Sequence, residues 1–339
     1  MHKTTQNAAV LQLEQPCGIP NPGILCHAIV VVQLLRQTLA PHLVELKNFL
    51  EPHRLGPRPC HFTRALVTLL ESQGAQPVAA NFARFITAFR NHPQHQDYLN
   101  EQQDASETLT QIISRLHEDL HHDGGWVNFS TSLLLGRFGR HLTCDLCPPE
   151  AQLQLRHAVD RRFPNPTTDR HSISLSAALL HHSTTVPMLI DGQLANDLPF
   201  GNDAHCDAVH GGQAAITTAY ALLPPAASLL VHVDRCGDGH VYNRTEIAPT
   251  DTISLNIDGV DQQQQYRLSA IIVHVGATIN SGHYVFFSRS SVQDRWFYAN
   301  DARVHVIQPN SPTHGLNYNG TYAQLWSRQS HLLLYKRIN

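Results

Sequence analysis

Between Gly23 and Leu35 the chain reads GILCHAIVVVQLL, an almost unbroken apolar run that continues more weakly to Leu39. A helix of this composition cannot lie on a surface, because a surface helix needs a polar stripe to face water. It is also too short to cross a bilayer, which takes about 20 residues. The run therefore demands a core around it, and the chain can supply one. It has 339 residues, 42% of them hydrophobic and 15% charged, and chains of about 300 residues bury most of their surface on folding. With 24 Lys and Arg against 27 Asp and Glu, the net charge is −3, which argues against a broad nucleic-acid footprint, and the sequence shows no clustered positive excess of the kind one requires. The amino terminus, MHKTTQNAAV, carries no signal-peptide hydrophobic core. An intracellular protein without membrane insertion is expected.

The first third reads as helical. Beyond Leu25–Leu39, helices are expected over Phe62–Glu71 and Pro77–Arg90, and a fourth places Leu109, Ile112, Ile113, Leu116 and Leu120 on one face before Gly124 and Gly125 stop it. Past Gly125 the texture turns to short β-prone runs: Leu133–Thr143, Ser228–Asp234, Thr252–Ile257, Tyr266–His274, His283–Arg289, Trp296–Ala299, Arg303–Ile307 and His331–Lys336. Helices followed by strands indicate an α+β fold. The stretch Leu146–Gly212 shows no regular pattern. Seven cysteines, an odd number, suit a reducing compartment, where such residues serve as metal ligands, nucleophiles or buried apolar groups. The 24 histidines are scattered rather than run together, so most are expected on the surface.

Cys26 follows a loop of Gly18, Pro20, Asn21, Pro22 and Gly23 that feeds directly into the apolar helix. A thiol at a helix amino terminus feels the positive end of the macrodipole, which favours the reactive thiolate; a small core residue is the plainer reading of the same position. A nucleophilic thiol needs a base, and His283 in SGHYVFF offers one from far along the chain. Asn300 and Asp301, in WFYANDARVHVI, each offer an oxygen that can fix the imidazole tautomer.

Taken together and in order, these segments resemble the ubiquitin-specific protease family of deubiquitinating enzymes. GIPNPGILCHAIVVVQLL is similar to the family's cysteine box, with Asn21, Cys26 and Gln33 at matching offsets. QQDASETL (102–109) is similar to the box that opens a thumb helix, YRLSAIIVHVGATINSGHYVFFSR (266–289) to the histidine box, WFYAND to the last catalytic segment, and LLLYKR to the closing strand. The resemblance implies a papain-like cysteine protease fold with a helical thumb (about 16–130), a fingers insertion (about 131–235) and a β-rich palm (about 236–339), after a tail over 1–15. It makes Cys26 the nucleophile, His283 the general base and Asn300 its orienting partner. Asn21 would help stabilise the oxyanion, and Asp301 would support the third position. Without the resemblance, Asn21 reads as a turn residue.

The implied partner is ubiquitin or a ubiquitinated protein, whose basic, diglycine-ended tail calls for a narrow slot with acidic walls. Asp104 and Glu107, three residues apart on a helix, would meet tail arginines or cap their own helix. Tyr266, Gly282 and Tyr284 would line the slot. No cofactor enters the chemistry. A structural zinc in the fingers would use the pair Cys144 and Cys147 with Cys206, the fourth ligand being His210 because Val209 stands where a cysteine is expected. A decayed site with merely buried cysteines is the other reading. The cysteine box departs from the family pattern at Ile24, Leu25, His27 and the AIVVV run. The alternatives to a deubiquitinase are a catalytically silent ubiquitin-binding scaffold of the same fold and a general papain-type peptidase.

Overall fold

The structure, a computed structural model, describes residues 15–51, 60–121, 137–144, 173–175, 184–185, 216–223, 227–235, 242–255, 263–278, 281–290, 295–307 and 322–338. Helix α1 (Cys26–Leu39) has all 14 of its residues buried, as its composition requires. A short 3₁₀ turn over Ala40–His42, with Pro41 in its first turn, leads into α2 (Leu43–Leu50). By length and composition alone the combined span Cys26–Leu50 would suffice to cross a membrane, but 78% of its most apolar window is buried inside the fold. It is a core element. Val31 and Val32 are fully enclosed, each stabilising the fold by about 1.5–3 kcal/mol relative to exposure.

Around α1 stand α3 (His61–Glu71), α4 (Ala75–Arg90) and α5 (Ala105–His121). An aromatic cluster joins α3 to α4: Phe62 lies 5.4 Å from Phe85 and 5.8 Å from Phe89, centroid to centroid. Pro77 occupies the first turn of α4, where its missing N–H costs nothing. The helix begins two residues before that proline, behind Gly74 at φ 81°.

The second layer is β-rich. In chain order the strands are β1 (Arg137–Cys144), β2 (Ile173–Leu175), β3 (Thr184–Thr185), β4 (Ile216–Leu223), β5 (Ser228–Val233), β6 (Ile247–Ala248), β7 (Thr252–Leu255), β8 (Gln264–Thr278), β9 (Ser281–Arg289), β10 (Trp296–Asn300), β11 (Arg303–Ile307) and β12 (Ser330–Arg337), with helix α6 (Tyr322–Gln329) before the last. Eight of them form one sheet in the order β11-β10-β9-β8-β12-β5-β2, with β7 also on β8. β1 and β4 form a separate antiparallel ribbon. One sheet face, carrying Leu230, Ala270, Ile272, Tyr284, Phe286, Leu332 and Leu334, packs on the helices. The other, with Val231, Ile271, Phe287 and Leu333, builds a second core against Leu325 of α6. Because both faces are covered, Ala270–Val273 of β8 and Tyr284–Phe287 of β9 are apolar without alternation.

Beside the helices and strands expected from periodicity, the fold contains α2, α6, β4 and the short strands β2, β3 and β6, which the sequence pattern does not announce; β2 and β3 lie in the stretch read as irregular.

Candidate active site

Two loops bring the front and back of the chain together. Ile19 N donates to Asp301 O at 3.0 Å, and Gly18 is so close to the same turn that a β-carbon there would sit 2.3 Å from Ala302 O. Only glycine fits such an approach. Gln33, two turns into α1, ties down the start of the loop: Cys17 N donates to its Oε1 at 3.2 Å, and its Nε2 donates back to Cys17 O. Within the loop, Asn21 Oδ1 accepts from Gly23 N (3.0 Å) and Leu25 N (3.2 Å), while its Nδ2 donates to Asp301 Oδ2 at 3.2 Å. Asn21 is thus the clasp between the cysteine loop and the Asn300–Asp301 turn.

This clasp sets Cys26, the first residue of α1 and 3% exposed, against His283 near the start of β9. The thiol is the neighbour that acts most strongly on the ring, and His283 Nε2 lies 2.8 Å from Asn300 Oδ1 at the end of β10. With Nε2 engaged by the amide, Nδ1 is the nitrogen left for the thiol. Asp301 Oδ2 stands 3.8 Å from the same Nε2, and Asp301 adopts a left-handed conformation, φ 50°, which brings its carboxylate back toward the ring. Cys26 lifts the His283 pKa most; burial works against it, but Asn300 and the Asp301 charge add to the rise, which reaches about 9. No side chain caps the amino end of α1, so its positive end stays directed at the thiol. The arrangement can hold a thiolate beside an imidazolium and supply backbone N–H groups to a developing oxyanion.

Of the residues expected to line a substrate slot, Glu107 and Gly282 are exposed. The segment before α5 is joined to β9 there by Gln102 Nε2 donating to Gly282 O at 2.8 Å. A side chain at Gly282 would meet His274 Nε2 and Val275 O at 2.7 Å, so the neighbouring strand alone demands glycine. Two other expectations, at Tyr266 and Tyr284, are corrected, and at Asp104 the capping alternative is the one found. Tyr266 is fully buried in the second core and lies nine residues before Val275, the partner of His283 across β8 and β9; at about 3.3 Å per residue that is roughly 30 Å along the strand. Tyr284 is 1% exposed and turns inward, its hydroxyl donating to Asp104 Oδ2 at 3.3 Å. Asp104 does not present its carboxylate outward either. Its Oδ1 accepts from Ser106 N (2.7 Å), Ser106 Oγ and Glu107 N (3.1 Å), capping α5, and its Oδ2 faces His331 Nε2 at 3.0 Å. Burial works to raise the Asp104 carboxyl, but His331 and the cap bonds hold it well below the usual carboxylate range.

Among the described histidines, His27, His95, His274 and His331 are buried. His27, beside the nucleophile, puts Nδ1 2.8 Å from Thr108 Oγ1, and that hydroxyl donates in turn to Asp104 O at 2.8 Å. Burial lowers the His27 pKa to about 4 despite Asp104 nearby, so it is a neutral packing residue. Sequence reasoning passed over Arg235, whose guanidinium gathers four backbone carbonyls beneath the start of β12. An arginine closing an apolar strand run, SLLVHVDR, was its only signal. The zinc residues Cys147, Cys206 and His210 lie outside the described residues; Cys144 ends β1, and its side chain is not described.

A thiol at a helix start, an imidazole from a facing sheet and an amide behind it define a papain-like cysteine protease fold. The profile of the ubiquitin carboxyl-terminal hydrolase family matches residues 17–335, and the chain belongs to that family. It is similar to the human protein named Ubl carboxyl-terminal hydrolase 18, 34% identical over 76 residues, a match spanning 22% of this chain but only 19% of that protein's length. Among solved structures, it resembles the yeast SAGA DUB module carrying an Sgf73 mutant (TM-score 0.61, 17% identity, 95% of this chain and 68% of that one). It is similar also to the SAGA Ubp8/Sgf11/Sus1/Sgf73 DUB module bound to ubiquitin aldehyde (TM-score 0.63, 17% identity, 95% and 70%). At these identities the structural likeness establishes the fold.

Proposed function

We propose that the protein is a cysteine-type deubiquitinase that hydrolyses the isopeptide or peptide bond after the carboxyl-terminal glycine of ubiquitin. The observation that carries this reading is the line Cys26–His283–Asn300, assembled from opposite ends of the chain. In this mechanism the Cys26 thiolate attacks the glycine carbonyl, and the backbone N–H groups at the start of α1 stabilise the oxyanion. The His283 imidazolium gives its proton to the leaving lysine amine, and His283 then acts as base for the water that cleaves the thioester. Asn300 holds the ring; Asn21 and Asp301 hold the loop and the turn. Glu107, exposed on the first turn of α5, is the acidic group for the basic tail, with the diglycine passing Gly282. The thumb, palm and fingers follow the boundaries expected above, and a fingers zinc at Cys144, Cys147, Cys206 and His210 has a structural role only. The site's location, like that of the reaction, is intracellular.

A ubiquitin probe with a carboxyl-terminal electrophile tests the proposal. A stoichiometric adduct on Cys26 that Cys26→Ala abolishes is expected. Tight binding of unmodified ubiquitin without an adduct would point to a silent scaffold, and indifference to ubiquitin with cleavage of ordinary peptides to a general peptidase.

A pH profile follows from the raised His283 pKa. An imidazolium is needed to protonate the leaving amine, so kcat/KM falls as pH rises through about 9. Stability runs the same way: a group whose pKa climbs from 6.5 to about 9 on folding contributes fully below 6.5 and loses that contribution as pH passes 9. Asn300→Ala removes one bond to the charged ring, moving the descending limb to lower pH. Steady-state hydrolysis of a fluorogenic ubiquitin conjugate across pH 6–10, a span of about one unit or less beyond each of these values, reads both effects; a limb that stays in place in the variant contradicts the assignment.

A further inference from the structure

Behind the thiol and its partners lies a second cluster that the proposed chemistry does not use. Asp104, His232 and His331 each bring one donor atom to a common region, all within 4.8 Å of one another. They come from three elements: the cap of α5, β5 and β12. A β-bulge explains how two neighbouring strands aim both imidazoles at the helix. His232 pairs with Leu332 in register, and both belong to the helix-facing side of the sheet with Leu230 and Leu334. His331 should point the other way. However, the register of β12 on β8 slips between Ser330 and Leu332, so His331 is the extra residue, and bulges of this kind re-aim a side chain. The two rings meet edge to face, 4.8 Å between centroids.

The Asp104 oxygens have separate duties. Oδ1 is committed to the helix cap, while Oδ2 turns toward the imidazoles. His331 is 4% exposed, and its Nε2, enclosed and 3.0 Å from Oδ2, makes no aligned hydrogen bond. Two donors on one tetrahedral zinc, each about 2.0–2.1 Å from the ion, stand about 3.3 Å apart, close to the 3.0 Å between Asp104 Oδ2 and His331 Nε2. Two imidazoles and a carboxylate form a donor set that suits zinc and its neighbours in the first transition row.

We propose that Asp104, His232 and His331 form a binding site for a divalent transition metal, zinc by its chemistry, lying between the first turn of α5 and the sheet. The ion takes Asp104 Oδ2 and one nitrogen from each imidazole, leaving Oδ1 on the helix cap, and it ties α5 to β5 and β12. This site is separate from the cysteine-rich fingers and does not depend on Cys26 being a nucleophile.

Cobalt(II) titration of the full chain carrying Cys26→Ala tests it by absorption. The expected result is one equivalent whose visible d–d bands are accompanied by no added sulfur-to-cobalt charge transfer, any such band belonging to a separate equivalent on the fingers cysteines. His331→Phe and His232→Phe should each weaken that binding at least tenfold and leave any thiolate band unchanged. His331→Gln, gentler on packing, should do the same while retaining a cooperative thermal transition, and zinc should raise the transition temperature of the parent by more than that of this variant, which keeps only the fingers ligands. Retention of the nitrogen–oxygen bands in the histidine variants, or their absence from the parent, overturns the proposal.

Discussion

Alanine in place of His283 is expected to lower the rate of ubiquitin-conjugate hydrolysis by on the order of 10⁴-fold while leaving ubiquitin affinity nearly intact. The imidazole is the group that, among the described residues, interacts with the Cys26 thiol and can carry a proton to and from the reacting bond. Its loss removes both the activated thiolate and the acid for the leaving amine. Its side chain is 32% exposed, so truncation opens no closed cavity, and the variant should melt within a few degrees of the parent. Comparing kcat with the dissociation constant of ubiquitin separates lost chemistry from lost binding. Turnover persisting in this variant would show that the thiol is activated by something else, and the triad reading would fail.

How much of this was legible in the sequence depends on what each residue's identity alone determines. Helix α1 could be read because a run apolar on every side has one solution, complete burial. The Cys26–His283–Asn300 set was legible as types of group in a fixed order. Their clasp was only half so: Asn21 reads equally as a turn residue or an oxyanion donor, and in the fold its amide spends a donor on Asp301. Helix α2 escaped because Pro41 breaks the apolar period just before it.

The slot residues failed for a more general reason. Where both faces of a sheet are covered, polar alternation disappears, and the sequence no longer says which way a side chain points. Tyr284 sits in such a run, turned to the helices, while Tyr266 lies in an alternating stretch that shows it buried but not that its face belongs to the second core, away from the site. Asp104 was ambiguous by chemistry, since an acidic residue opening a helix serves a cap or a ligand equally well. His331 depended on a bulge, a one-residue slip that no local pattern records. In each case the missing information was direction, set by tertiary register.

Arg235→Ala is expected to cost about 3–5 kcal/mol, a large share of the roughly 5–15 kcal/mol by which domains are stable. Arg235 is 1% exposed. Its Nε donates to Ser330 O at 2.8 Å, Nη1 to Asn243 O and Thr245 O at 2.9 and 3.0 Å, and Nη2 to Ser327 O at 2.8 Å and Ser330 Oγ at 3.3 Å. These bonds knit the end of α6, the start of β12 and the loop before β6 around one planar fork. Alanine removes the charge, which relieves its own desolvation cost, but strands four enclosed carbonyls at about 1–3 kcal/mol for each that water cannot reach. Lysine tests the geometry: it keeps the charge but has three donors at a single point, which cannot span acceptors on three segments. Urea unfolding should therefore place Arg235→Lys below the parent and Arg235→Ala lowest, with a reduced midpoint and little change in slope. Because Arg235 anchors β12 one residue before His331, the alanine variant should lose hydrolysis through unfolding, recovering on cooling, whereas His283→Ala stays inactive at every temperature.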